Sequence, residues 1–171
     1  MGKEECRCEL DYESTRNQVV EFLASKRAIV LATSLDGRVT ARTVSMVSEG
    51  LDVYFMSWGH HTKCVQIRGN PRVALCRDNV QIEGLAEILG SPLDEGNKRY
   101  AETLRHRYPD DYQMFAREPG MILVKVVPYT ITVFGKQGDE FYLDCLNLED
   151  RTLRRKRMTE QVGEREGRHG G

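Results

Sequence analysis

The stretch Met56-Ser-Trp-Gly-His-His-Thr-Lys-Cys-Val-Gln-Ile-Arg-Gly-Asn-Pro-Arg72 links two apolar strands through a short helix, and the rest of the chain is organised around it. Leu51-Asp-Val-Tyr-Phe55 runs into it as one strand, and Val73-Ala-Leu-Cys76 leaves it as the next. Between them the pattern predicts an amphipathic helix, with Val65 and Ile67 apolar and Lys63, Gln66 and Arg68 polar. The helix opens on His60-His-Thr-Lys63, where free backbone N–H groups and the helix dipole already favour an anion. Thr62 adds a hydroxyl and Lys63 a full positive charge, a set suited to phosphate. The same residues also fit a capped surface helix whose Lys63 points into water.

Upstream, Ser14 is the expected N-cap of a helix whose core stripe is Val19, Val20, Phe22 and Leu23. Ala28-Ile-Val-Leu-Ala-Thr-Ser34 reads as a fully buried strand, and Asp36-Gly37 as a hairpin turn. Val39 to Val47 returns as a strand, with Thr40, Arg42, Val44 and Met46 on one face and Val39, Ala41, Thr43 and Ser45 on the other. Downstream, Val73–Arg77 and Val80–Leu89 form another pair around Asp78-Asn79. Gly84 in the second of these strands predicts a bulge or a close backbone approach. Ser91-Pro-Leu-Asp94 caps a helix to about Tyr108, and a shorter helix follows from Asp110 to Arg117. Met121–Val127, Tyr129–Phe134 and Glu140–Asp144 close the pattern as strands. Strands broken by short helices, with no regular β-α alternation, predict a mainly β fold of the α+β kind, an antiparallel barrel rather than a doubly wound sheet.

The 171 residues suit one domain over 13–147, with an N-terminal extension (1–12) and a charged tail (148–171). In the tail Arg151, Arg154, Arg155, Lys156 and Arg157 cluster without an aromatic neighbour, which predicts a solvated helix end or disordered arm rather than a nucleic-acid arm. A net charge of −1 gives no overall attraction to nucleic acid or anionic membrane. No apolar run approaches the roughly 20 residues of a membrane helix, and Met1–Cys6 has no apolar signal region, so a cytoplasmic protein is expected. Of the five cysteines, Cys6 and Cys8 lack partners at metal-ligand spacing, Cys76 reads as a small core residue, and Cys64 as a buried thiol. No metal site is expected. The four histidines form no triad with a Ser or Cys nucleophile.

The order helix, Ala-Thr-x-x-Asp-Gly, Arg-bearing strand, apolar strand, His/Thr/Lys helix, Asn-Pro-Arg-Val-Ala-Leu and Ile-Glu-Gly-x-Ala-Glu resembles the pyridoxamine 5′-phosphate oxidase-like family of split β-barrel flavoproteins. The similarity runs from about Ala28 to Leu89 and more weakly to Asp144. It implies a homodimer with FMN at the subunit interface. It places Arg42 beside the flavin phosphate, Thr43 and Val44 along the isoalloxazine ring, and Met56 and Ser57 against the ring and ribityl chain. His61, Thr62 and Lys63 match the phosphate-binding positions, with Lys63 the strongest correspondence. Asn79 lies near the position where the family places an amide that reaches the flavin from the next strand pair. His61 and Thr62 depart from the hydroxyl residue and arginine that family members often carry there.

True pyridoxamine phosphate oxidases also end in an Arg/Trp-bearing segment closing in Arg-Leu-x-Pro. Here the end is Arg165-Glu-Gly-Arg-His-Gly-Gly171, and the only tryptophan is Trp58. The apparatus of vitamin B6 oxidation is therefore not visible, and fold does not settle function. The resemblance implies an FMN-dependent oxidoreductase or flavin reductase acting on a small molecule. Two alternatives stay open: a non-catalytic flavin-binding or redox-sensing protein, and a deazaflavin- or haem-binding relative of the same barrel.

Overall fold

The computed structural model describes residues 11–158. Helix α1 (Tyr12–Ser25) starts one turn earlier than expected, because the Asp11 carboxylate accepts from the N–H groups of Glu13 and Ser14 at 3.1 Å each. Strands β1 (Ala28–Leu35) and β2 (Arg38–Ser45) follow as a hairpin. Asp36 and Gly37 both take positive φ, 50° and 77°, as a two-residue turn matched to strand twist requires. The strand expected to run on to Val47 instead breaks at Met46. That residue is fully buried, and its N–H turns away to the Arg27 carbonyl at 3.0 Å. The chain then continues as β3 (Val47–Glu49) and β4 (Asp52–Trp58).

Helix α2 (Thr62–Gly69) connects β4 to β5 (Arg72–Arg77), which pairs with β6 (Val80–Gly90). A 3-10 turn (Glu95–Asn97) leads into α3 (Lys98–Arg107) and α4 (Pro109–Phe115). Three strands close the described chain: β7 (Met121–Gln137), β8 (Glu140–Asn147) and β9 (Thr152–Met158). The expectation of a helix end or disordered arm at the C-terminus is thus corrected for residues 152–158. Leu153 and the alternating basic residues fit a strand period, and β9 pairs with β8 along its full length. Residues 1–10 and 159–171, with Cys6 and Cys8, lie outside the described residues.

All pairings are antiparallel, in the order β2-β1-β5-β6-β7-β4-β3, with β8 and β9 continuing from β7. The two ends of that path, β2 and β3, are consecutive in the chain yet do not pair, so the barrel stays split at Met46. The 17-residue β7 makes a second division. Along one edge it pairs with β6; along the other, residues 121–126 pair with β4 and 130–137 with β8. Pro128, which has no N–H to give, sits between those halves. Opposite it the β6 register shifts at Glu83/Gly84. A Cβ on Gly84 would lie 2.7 Å from the Val127 carbonyl oxygen and 2.9 Å from Val126 Cγ1, so glycine is required by the close approach.

Inside the barrel Leu31, Val53, Phe55, Leu75, Ile82, Val124, Ile131 and Leu146 are fully buried. A smaller cluster of Val47, Tyr54, Leu104, Tyr108 and Leu123 seats α3 against β3, β4 and β7. β1 is not fully buried as expected: Ile29, Leu31 and Thr33 point in, while Val30 is exposed. Its outer face is flat and apolar. Ala32 lies between Ala41 and Ala74 across the strands, with Val30 37% and Val39 69% exposed nearby. Cys76 belongs to this outer face and is exposed, which corrects its reading as core.

Candidate functional site

The strand β4 delivers Met56, Ser57 and Trp58 to the barrel rim, and the chain turns there through Gly59, His60 and His61 into α2. The turn is tied twice: Gly59 N–H donates to the Gly120 carbonyl at 2.8 Å, and Arg68 Nη1 donates to the Gly59 carbonyl at 2.6 Å. His61 stands at the N-cap position in extended backbone and gives no side-chain cap, so the first N–H groups of α2 are left to the surroundings. The helix faces differ from the sequence reading. Cys64, Gln66 and Ile67 are buried, whereas Val65 is exposed. Gln66 turns inward because it finds partners there. Its carbonyl oxygen accepts from Thr33 and Thr40 at 2.6 and 2.7 Å, and its amide donates to the Arg38 carbonyl at 2.9 Å.

That network holds Arg42. Its guanidinium donates to Thr33 Oγ1 at 2.7 Å, to the Leu31 carbonyl at 3.3 Å and to Thr40 Oγ1. All three acceptors are neutral. Lys63 Nζ lies 3.3 Å from His61 Nδ1 and, like Arg42, has no carboxylate partner among the described residues. Burial lowers the Lys63 pKa; Cys64 opposes the shift, and the nearby Arg42 charge adds a smaller lowering. Burial likewise lowers that of Arg42. His61 is lowered by burial, then by Lys63 and His60, which favours neutral imidazole. Lys63 and Arg42 thus bring positive charge close together with no carboxylate in ion-pair contact among the described residues.

Beside it lies a cleft of about 270 Å³. Thr43, Val44, Met56, Ser57, His61 and Lys63 line it together, so six of the nine expected residues share one cavity. Thr62 and Arg42 are not in its lining, although Arg42 is close enough to perturb Lys63. Asn79 is elsewhere, at the β5–β6 turn, where its amide donates to the Phe134 carbonyl at 2.6 Å. The remaining wall was missed from sequence: Ser45, Trp58, Leu104, Tyr108, Asp111, Phe115 and Met121. Helices α3 and α4 supply most of it, and no local motif announces a contact made some 50 residues away along the chain. Trp58 alone carried a signal, as an aromatic ending an apolar strand beside Met56 and Ser57. A larger groove of about 840 Å³ between α3 and α4 contains none of the expected residues. Among the described residues no three His, Cys, Asp or Glu side chains gather as a metal site, and no helix is long and apolar enough to cross a membrane.

Solved structures that share this fold include the following three. One is a putative pyridoxamine 5′-phosphate oxidase from Listeria innocua, 22% identical, covering 70% of this chain and 97% of that one, with a TM-score of 0.56. HutZ, the haem storage protein of Vibrio cholerae, is 14% identical over 71% of this chain and 90% of its own, with a TM-score of 0.57. An FAD-binding protein of Mesorhizobium loti is 16% identical over 67% and 90%, with a TM-score of 0.55. No curated protein matches the chain by sequence. The family profile for pyridoxamine 5′-phosphate oxidase matches residues 15–131, about two thirds of the chain. With that match and the split antiparallel barrel, the chain belongs to the pyridoxamine 5′-phosphate oxidase family.

Proposed function

We propose that the protein binds FMN and serves as an oxidoreductase or flavin reductase for a small molecule. The observation that carries this reading is the pairing of Lys63 and Arg42 without a carboxylate, at the start of α2 and the end of an apolar cleft. A phosphate there would gain two charge-assisted partners and the free N–H groups of Thr62 and Lys63. The Thr62 hydroxyl lies at the same helix end. Thr43, Val44, Met56 and Ser57 then form the wall for a planar ring. Bound flavin supplies the hydride or electron transfer, while the protein anchors, orients and shields it. Neutral His61 adds a polar contact without adding charge.

One chain offers only part of a flavin site, because its cleft is smaller than the 300–1,000 Å³ typical of enclosed ligand pockets. Thr43 belongs both to the cleft and to the flat apolar outer face of β2, so a second copy packed on that face would complete the cavity. This is the homodimer that the resemblance implies.

A second reading, haem, draws on one observation: His61 lines the cleft in the neutral form that ligates iron. The decisive experiment releases the chromophore of purified protein by heat and identifies it by mass and visible spectrum. Released FMN supports the proposal; haem, a deazaflavin or no chromophore after incubation with FMN refutes it. Bound FMN with no consumption of NAD(P)H with any acceptor would make the protein a flavin carrier or sensor instead.

A further inference from the structure

The part of the cleft wall supplied by Trp58 and by the α3–α4 junction is unlike the rest of the site. Tyr108, Asp111 and Phe115 follow one another at helical spacings of three and four, so a single face of the α3–α4 junction presents all three to the cavity. That face is fixed firmly. The Tyr108 hydroxyl donates to the Met46 carbonyl at 2.9 Å and to the Arg27 carbonyl, and the Arg27 guanidinium covers the outer side of the ring at 4.8 Å. Tyr108 is therefore a post, with little freedom to turn. Phe115 meets Trp58 edge to face, ring centroids 5.2 Å apart and planes at 74°, which makes an aromatic corner. His61 closes the far side of Trp58 at 5.3 Å.

Asp111 is the only carboxylate lining this cleft, and among the described residues it has no ion-pair partner. It sits in the first turn of α4, where the helix N-terminus favours negative charge. The cleft lining thus carries both signs of charge, an ammonium at Lys63 and a carboxylate at Asp111, together with the aromatic rings of Trp58 and Phe115. Aromatic faces attract cations through their negative quadrupole, and a carboxylate beside them adds a directed charge.

We infer that Trp58, Phe115 and Asp111 form a cation-selective substrate subsite, taking a small planar molecule that carries a protonated amine or a ring cation. The inference rests on the reading that this cleft is the reactive one, and it deepens that reading by naming the substrate class. An anionic substrate would meet Asp111 with no cation at hand, since Lys63 and Arg42 would be engaged by phosphate. A neutral aromatic would gain the rings alone.

Trp58 is the only tryptophan in the chain, so its emission reports on this corner alone. The purified protein, in phosphate buffer to supply an anion to Lys63, is titrated with benzylammonium, benzyl alcohol and benzoate. These probes share a ring and differ in charge. Benzylammonium is expected to bind about tenfold more tightly than benzyl alcohol, with benzoate weaker than both. Asp111→Asn keeps the shape and is expected to bring benzylammonium within about twofold of the alcohol, a loss of the charge term alone. Phe115→Leu is expected to weaken all probes. Equal binding of amine and alcohol, a preference for benzoate, an undiminished preference in Asp111→Asn, or no Trp58 response to any probe would overturn the inference. A separate FMN titration of the unsubstituted protein reads the flavin proposal. Cation selectivity without FMN binding would remove the flavin and leave the subsite.

Discussion

Replacing Lys63 by alanine should move two quantities in opposite directions. The ammonium is half-buried, lacks a carboxylate and stands near Arg42, so in the ligand-free protein it is desolvated and repelled. With phosphate bound, the same group makes a charge-assisted contact, for which a loss of about 1.5–3 kcal/mol is usual. Relief of the Lys63–Arg42 repulsion offsets part of that, which places the expected loss near the lower limit. At 1.4 kcal/mol per decade, FMN affinity should fall by roughly tenfold, and at most about 150-fold. The ligand-free protein should melt no earlier than the parent, because alanine is well tolerated in a helix and a desolvated charge is removed. A loss of 1 kcal/mol would show as about 2–4 °C at this chain length. The assays are a fluorescence titration with FMN and a thermal melt without it. Unchanged affinity would remove Lys63 from the site. A melting temperature lowered by several degrees would show that Lys63 supports the fold, and the argument from an unpaired cation would fail. The pH dependence follows with a definite sign. The Lys63 pKa is lowered in the free protein and restored by phosphate, so binding takes up a proton above the lowered pKa. FMN affinity should therefore weaken as pH rises through that pKa, and the trend should vanish in Lys63→Ala.

The exposed alanine face predicts a homodimer that Ala41→Asp dissociates; sedimentation showing the parent as a 19.6 kDa monomer holding stoichiometric FMN would contradict it. Gly84→Ala should destabilise by about 1–3 kcal/mol, since its Cβ would meet the Val127 carbonyl and Val126 of β7, and a thermal melt checks it. The FMN-loaded protein should not turn pyridoxine phosphate into pyridoxal phosphate. A second phosphorylated substrate needs its own cations over the ring, and the described cleft offers Asp111 there instead. Turnover of about 1 s⁻¹ or faster, the low end of usual enzyme rates, would refute this.

Much of the fold is written locally. Alternation along β2 and β6, the Asp36-Gly37 turn and Gly84 each follow from steric and burial rules acting within a few residues. The cation cluster was legible for the same reason: Lys63 lies at a helix start that its own neighbours define. The order of motifs added Arg42, Met56 and Ser57. What sequence did not decide depends on partners distant in the chain. Gln66 reads as a polar surface residue until Thr33, Thr40 and the Arg38 carbonyl are brought to it. The basic run at Arg154–Arg157 reads as a solvated arm until β8 offers a ladder, with Asp144 accepting from Arg155 at 2.6 and 2.7 Å. Cys76 reads as core because a strand's two faces look alike in sequence, and only the sheet's path sets which one is outside. The aromatic and acidic wall of the cleft is the extreme case. Trp58 and Phe115 are 57 positions apart, and their contact exists only because β7 pairs with β4 and carries α4 to the rim. Local chemistry determined a split barrel with a lysine at a helix start; long-range packing decided which side chains share the cleft with it.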